Sequence, residues 1–342
     1  MQTVKITGKA ATSLVHVGEH LENLGRYCPE NSVIVTDKTV AAICGSLFPP
    51  FPVITTGQGE GEKTLASIEK IYQGLLDLNA DRSSFLVGVG GGVVCDMAGF
   101  AASTFMRGIG FGFVASTLLA QVDASVGGKN GVNFSRYKNM VGVFAQPKFV
   151  ICDTELLKSL HKDELANGFA EIVKHGAMAD AAYFRYIEEN AEAALALDKA
   201  VTDRLVLRSV EIKAAVVSAD EREAGERRKL NFGHTIGHAF EKVLGISHGR
   251  AVSAGMAAAA RMSVSRGLLS RADEERLTSL LFRLGLPVSL SADKNALFDA
   301  VTKDKKREGG SIKFVLLKGL GQAVVEDIPL SGLKSVLAQM EE

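Results

Sequence analysis

Ser84-Phe-Leu-Val-Gly-Val-Gly-Gly-Gly-Val-Val-Cys-Asp96 is the stretch that decides the fold of this chain. Its first half reads as a short, β-branched strand, and the glycines after it open a helix. At such a junction the backbone N–H groups are free of side-chain bulk, so a pyrophosphate can approach them. The strict GxGxxG spacing is absent, because Val93 occupies the place of the last glycine. Taken alone, the loop therefore divides evenly between a nucleotide site and a tight turn.

Outward from that junction, Ser32-Val-Ile-Val-Thr36 ends at Asp37 and Lys148-Phe-Val-Ile-Cys152 ends at Asp153, two further strands bounded by turn residues. Between them, Leu65 to Leu76 places apolar residues at helical spacing, as a crossover helix covering a parallel sheet does. After Asp153 the pattern changes to long Ala-, Leu-, Glu- and Arg-rich segments: 162–175, 181–194, 202–219, 235–243 and 252–266. Gly309-Gly310 then precedes Ser311 to Leu317, a hairpin or small sheet beside the helices. A chain of 342 residues exceeds the size of most single cores. The expected plan is an α/β domain over 1–152 and a mainly helical domain over 153–342.

Thirty-nine basic residues balance 39 acidic ones, so no global field draws the chain to nucleic acid or to an anionic membrane. A small molecule is the expected partner. No signal-peptide pattern opens the chain and no apolar run reaches the length of a membrane span. Cys28, Cys44, Cys95 and Cys152 form no CxxC pair and suit buried thiols in a reducing compartment, so the reading is cytoplasmic.

Glu171, His234 and His248 are candidate metal ligands: two imidazoles and one carboxylate suit a divalent ion such as zinc and leave positions open for water or substrate. Their wide spacing excludes a zinc finger, so the fold must assemble them. Glu171 and Lys174 share a helix face, which by itself describes a surface ion pair, although their neighbours Phe169, Ala170, Ile172 and Val173 are apolar. His234 and His238, spaced i, i+4, could bind one metal together, but the Glu that HExxH enzymes place between them is missing. Asp37 suits either a ribose hydroxyl or a helix cap. Arg107, Lys129, Lys138 and the Lys305-Lys306-Arg307 run lie in glycine-rich or polar turns, where binding residues concentrate.

In order along the chain, these segments resemble the 3-dehydroquinate synthases, the NAD- and metal-dependent enzymes of the shikimate pathway. The motifs that carry the resemblance begin with Glu60-Gly-Glu-Lys63, Gly90 to Ala102, Met106-Arg-Gly108 and Leu118 to Lys129, followed by Lys138-Asn139 and Ala170-Glu-Ile-Val-Lys174. Asp220-Glu-Arg-Glu223, Leu230 to His238, His248-Gly249 and Asp304-Lys-Lys306 complete them. The resemblance implies an α/β NAD-binding domain followed by a helical metal and substrate domain, a plan similar to glycerol dehydrogenases. It implies that Glu171, His234 and His248 bind zinc or cobalt. NAD would lie over Asp37, Glu60, Lys63, Gly91, Gly92, Val93, Asp96, Ser116, Thr117, Lys138 and the Leu156 to Ser159 turn.

By the same resemblance, Asp123, Lys129, Asn139, Lys174, Lys213, Arg227, Asn231 and one of Lys305 and Lys306 surround the substrate. His238 and Glu223 move protons, and Arg107 reaches the neighbouring subunit's site, which implies a homodimer. The implied substrate, 3-deoxy-D-arabino-heptulosonate 7-phosphate, carries a carboxylate and a phosphate that the lysines and Arg227 would match. Its C5 is oxidised by NAD, phosphate leaves, the hydride returns, and an aldol closure gives 3-dehydroquinate. Cys95, Ala115, Asp163 and Arg250 depart from the family's usual residues without removing a ligand. Competing readings are the other sugar phosphate cyclases, amino-dehydroquinate or 2-deoxy-scyllo-inosose synthases, and a metal-dependent polyol dehydrogenase.

Overall fold

The computed structural model describes residues 1–8, 11–135, 137–223, 225–302, 307–308 and 311–330. Its chain contacts divide into two compact units, residues 1–161 with 202–222, and residues 162–201 with 223–342.

The first unit alternates strand and helix. In chain order it holds β1 (Gln2–Thr7), β2 (Thr12–Val17), β3 (Ser32–Asp37), α1 (Lys38–Cys44), β4 (Val53–Thr56), α2 (Leu65–Asp77), β5 (Phe85–Gly90) and α3 (Gly92–Thr104). β6 (Gly110–Ala115), β7 (Lys129–Phe134), β8 (Tyr137–Phe144) and β9 (Phe149–Cys152) follow. Seven strands form one sheet in the order β1-β2-β9-β6-β5-β3-β4; β1 pairs antiparallel with β2, and every other neighbouring pair is parallel. β7 and β8 form a separate antiparallel ribbon.

The central strands read as near-continuous apolar runs because both faces of the sheet are buried: Leu86 and Val87, on opposite faces of β5, and Val89 are all fully buried. Each such side chain contributes about 1.5–3 kcal/mol on leaving water. From β3 the chain steps outward to β4 and then returns to β5 on the other side of β3, so the winding direction reverses between β3 and β5. In an open parallel sheet, that reversal opens a crevice at the carboxyl ends of the two strands.

The second unit begins with α4 (Lys162–Ala179), α5 (Ala181–Glu189) and α6 (Ala191–Leu195). α7 (Lys199–Ala219) starts in this unit and passes into the first; then come α8 (His234–Leu244), α9 (His248–Ser265), α10 (Arg271–Arg283) and α11 (Lys294–Thr302). β10 (Arg307–Glu308), β11 (Ser311–Gly319) and β12 (Gln322–Pro329) form a small antiparallel sheet. α8 stops at Gly245, whose φ of 65° is the left-handed conformation glycine adopts at helix ends, and α9 begins three residues later. The N-terminus of α9 lies backbone against backbone on α4: a Cβ on Gly249 would stand 2.4 Å from Asn167 Cα.

The division of the chain differs from the expected boundary at Cys152 in two respects. The turn to His161 stays with the sheet, and residues 202–222 return to it. That return has specific anchors: Thr154 bonds Asp203, Ser218 Oγ accepts the Thr7 N–H at 3.2 Å, and Lys213 pairs with Asp123. The expected helix over 181–194 is broken at Asn190, whose φ of −120° interrupts it. Among the described residues no helix is long and apolar enough to cross a membrane.

Candidate active site

In the second unit, α4 contributes Glu171, the first residue of α8 is His234 and the first residue of α9 is His248. Glu171 is fully buried, on the helix face the sequence left open between a surface pair and a site. Its Oε2 is held by the ammonium of Lys174, one turn along. Its Oε1 faces both imidazoles, 3.6 Å from His234 Nε2 and 3.4 Å from His248 Nε2. Ligand atoms of all three residues lie within 4.8 Å of one another. A tetrahedral ion bound at about 2.0–2.1 Å spaces its ligands about 3.3 Å apart, so this donor set fits a divalent ion.

The second ring nitrogens support the fit. His234 Nδ1 lies 3.1 Å from the carbonyl oxygen of Phe232, and His248 Nδ1 lies 3.4 Å from Glu241 Oε2. Partners of that kind set the tautomer that turns Nε2 to a metal. His238 stands beside the triad, its ring centroid 5.3 Å from that of His234 and 6.3 Å from that of His248. The residues grouped around Glu171 are thus His234 and His248, not the i, i+4 pair.

Burial holds His234 well below its ordinary pKa, with the Lys174 ammonium adding to the effect and Glu171 opposing it. Burial acts the same way on His248, yet its bonds to Glu171 and Glu241 lift it to about 9. A metal binding at neutral pH is therefore expected to displace a proton from His248. Zinc binding at pH 7.5 is expected to release about one proton, and affinity to rise about tenfold per pH unit until it levels near pH 9. Calorimetry in two buffers of different ionisation enthalpy reads this directly, and a pH-independent affinity would contradict it.

Of the other expected substrate residues in this unit, Arg227 is 2% exposed. Asn231 donates from Nδ2 to Glu223 Oε1 at 2.6 Å, and Glu223 itself sits at a positive φ of 62°. The Lys174 ammonium contacts Glu171 Oε2, from where it can orient the carboxylate. Lys305 and Lys306 lie outside the described residues.

In the first unit, the expected cofactor residues follow the carboxyl ends of parallel strands. Asp37 ends β3, Glu60 and Lys63 follow β4, Gly91, Gly92, Val93 and Asp96 follow β5, Ser116 and Thr117 follow β6, and Leu156 to Ser159 follow β9. Lys138 lies on the β7–β8 ribbon instead. α3 begins at Gly92 with no side-chain cap, leaving its first N–H groups for an anion. Asp37 Oδ1 accepts the N–H groups of Thr39 and Val40 at 2.8 and 2.9 Å, so the cap reading of this residue is the one built.

Lys63 is 4% exposed; its ammonium bonds Asp96 and, at 2.5 Å, Asn139 Oδ1. Burial raises the Asp96 pKa, and Lys63 is the strongest opposing influence. Lys213 donates to Asp123 Oδ1 at 2.6 Å and to its backbone oxygen at 2.5 Å. Lys129, Lys138 and Asn139 are exposed along the ribbon, and Arg107 is exposed with a φ of 71°.

Three further residues, outside the set expected from the sequence, hold these groups. Asn133 donates to Glu60 Oε1 at 2.8 Å, and its Oδ1 accepts the Asn139 N–H. Asn167 Oδ1 accepts the Gly249 N–H at 2.8 Å, tying α9 to the helix of Glu171. Glu241 meets His248. Spacing carries a faint signal for two of them: Asn167 is one turn before Glu171, and Glu241 is two turns after His234.

Residues 53–167 match the domain family described as 3-dehydroquinate synthase N-terminal, and residues 168–307 match 3-dehydroquinate synthase C-terminal. Curated 3-dehydroquinate synthases of Citrifermentans bemidjiense and of Geobacter sp. strain M21 are each 42% identical to the chain, with 88% of each chain covered. The chain belongs to the 3-dehydroquinate synthase family. Among solved structures, a 2-deoxy-scyllo-inosose synthase complexed with carbaglucose-6-phosphate, NAD+ and Co2+ is 26% identical, with a TM-score of 0.84 over 98% of this chain and 99% of that one. A 2-epi-5-epi-valiolone synthase from Streptomyces hygroscopicus subsp. jinggangensis 5008, with NAD+ and Zn2+ bound, shares the fold at 24% identity, with a TM-score of 0.89 over 100% and 99% of the chains. A probable glycerol dehydrogenase from Sinorhizobium meliloti 1021 shares the fold more distantly, with 16% identity and a TM-score of 0.65 over 96% of each chain. The two-part α/β and helical plan expected from the sequence is the plan of this family.

Proposed function

We propose that the chain is a 3-dehydroquinate synthase, a lyase that converts 3-deoxy-D-arabino-heptulosonate 7-phosphate to 3-dehydroquinate and phosphate with NAD and one divalent ion, zinc or cobalt. The observation that carries this reading is the grouping of Glu171, His234 and His248 in a chain 42% identical to such synthases. When bound, the ion acidifies substrate hydroxyls, and NAD takes up and returns a hydride at one carbon.

The chain's own groups would do the rest. Lys174 fixes the Glu171 carboxylate so that one oxygen is presented to the ion. Among Arg227, Asn231, Lys174, Lys129, Asn139, Lys213 and Asp123 are the groups that would hold the substrate's carboxylate, phosphate and hydroxyls. Lys305 or Lys306 would join them. Arg can grip a carboxylate through two parallel bonds. Glu223 and His238 would relay protons, Glu223 being oriented by Asn231. NAD would lie at the reversal between β3 and β5, with its pyrophosphate at the start of α3, beside Gly91, Gly92, Val93 and Asp96. Asp37 Oδ2, Glu60, Lys63, Ser116, Thr117, Lys138, Leu156 and Ser159 would line the remainder.

Arg107 would enter a neighbouring subunit's site, which makes the assembly a homodimer. The strained, exposed backbone at Met106 (φ 49°) and Arg107 supports this, because such conformations collect at functional contacts. Four free thiols, three of them buried, suit the cytoplasm.

The test is to supply purified protein with the heptulosonate phosphate and catalytic NAD, with and without chelator. Phosphate and dehydroquinate should appear together, without accumulated NADH, and chelation should stop both. NADH formed in step with product would overturn the reading, and turnover of glucose 6-phosphate instead would assign the chain to the inosose-forming branch. His238→Asn is expected to retain the ion while kcat falls about 100-fold or more, the usual worth of a general acid or base; loss of the ion would put His238 among the ligands.

A further inference from the structure

The His248 ring is addressed by two carboxylates at opposite edges: Glu171 Oε1 lies 3.4 Å from Nε2 and Glu241 Oε2 lies 3.4 Å from Nδ1. His234, the other imidazole of the triad, rests its Nδ1 on a backbone carbonyl. The two ligands are thus oriented by different means, one by the chain and one by an ionisable side chain. The difference follows from where His248 stands. It opens α9 directly after the short connection from α8, and the N-cap residue Ser247 makes no side-chain cap bond there. No preceding helical turn confines its χ1. Glu241 supplies the missing constraint. It falls at i+7 from His234 and i+3 from His238, so one face of α8 bears a metal ligand and the group that aims the next one.

We propose that Glu241 is a positioning residue for the metal site, holding His248 by Nδ1 so that Nε2 is presented to the ion shared with Glu171 and His234. With a side chain 11% exposed, Glu241 makes this contact largely out of bulk water, where a charge-assisted bond is strengthened. A carboxylate on the far nitrogen also makes a ligand imidazole a better donor. Glu241, His238 and His248 could alternatively hold a second cation of their own, since their ligand atoms also lie within 4.8 Å of one another. That arrangement would take the same Nδ1 that Glu241 occupies.

The inference rests on the metal reading above, and its experiment separates the two. The full chain and its Glu241→Ala, Glu241→Gln and Glu171→Gln variants are titrated with zinc and cobalt against a competing chelator. The cobalt visible spectrum, NAD affinity and metal-free melting temperature are recorded alongside. Glu241→Ala is expected to lose about 10- to 100-fold in metal affinity, the usual worth of an outer partner to a ligand imidazole, with an altered cobalt band and unchanged NAD affinity. Glu241→Gln keeps an acceptor for Nδ1 and should recover most of that loss. The proposal is overturned if Glu241→Ala binds metal within about twofold of the parent. It is also overturned if Glu241→Gln falls as far as Glu241→Ala and melts equally early without metal. A second equivalent of zinc that only the Glu241 variants lose would overturn it in favour of a separate cation site. Undiminished metal binding by Glu171→Gln would instead reject the metal reading, and this proposal with it.

Discussion

Glu171→Gln yields a folded protein that binds zinc or cobalt at least about 100-fold more weakly and has lost almost all turnover. An outer partner of a metal ligand is worth about 10- to 100-fold in affinity, and removing a charged ligand itself exceeds that. The substitution keeps volume and leaves a carbonyl oxygen for the Lys174 ammonium, which now bonds the Glu171 carboxylate. The expected cost to the fold is therefore modest. Glu171→Ala differs in kind: it leaves a lysine whose side chain is 2% exposed without its carboxylate, at a cost of about 3–5 kcal/mol. Metal content by chelator competition and thermal melting distinguish the two substitutions. Retained activity in metal-depleted Glu171→Gln would remove the proposed chemistry altogether.

Lys63→Met is expected to weaken both the first unit and its grip on NAD. Methionine matches the lysine in length but removes the ammonium that bonds both the Asp96 carboxylate and Asn139 Oδ1. Breaking one partner from a buried pair costs about 3–5 kcal/mol. For a unit of this size that is a fall of about 10 °C in melting temperature. The deficit carries a pH signature. Burial already raises the Asp96 pKa, and removing Lys63 raises it further. An acid whose folded pKa lies above its unfolded value favours the fold at low pH and loses that contribution as pH rises through the folded pKa. The variant should thus fall further behind the parent at pH 8 than at pH 5. Adding Asp96→Asn should restore much of the loss, since a neutral pair no longer buries a lone charge; a double variant no more stable than Lys63→Met would contradict the account.

Much of the site was legible because its chemistry uses unusual residues in unusual surroundings. Glu171 and Lys174 stood out as charges among Phe169, Ala170, Ile172 and Val173, and burial of that face accounts for the pattern. The glycines after Val89 marked a strand-to-helix junction, which Gly90 and Gly92 form. His234 and His238 presented the opposite case. Their i, i+4 spacing allowed a shared metal, and only the arrival of His248 from α9 shows which imidazole joins Glu171. Glu241 and Asn167 gave almost no signal, because a Glu on a helix and an Asn near a helix start are ordinary surface features. The return of residues 202–222 to the sheet was equally silent in the sequence. Their helical periodicity says which residues share a face, not which partner that face meets; the pairing of Lys213 with Asp123, ninety residues earlier, is a property of the folded chain.

The sequence by itself determined the local grammar of this protein: β-branched runs closed by Gly or Asp, an alternating half followed by a helical one, and the residue types able to bind a divalent ion and anions. Those follow from interactions between near neighbours, which spacing encodes directly. Tertiary structure alone decided that the chain reverses between β3 and β5, that Glu241 meets His248 and Asn167 meets Gly249, and that part of α7 belongs with the sheet. Each of these depends on which buried surfaces meet across long stretches of chain, and no local pattern of polarity specifies that choice.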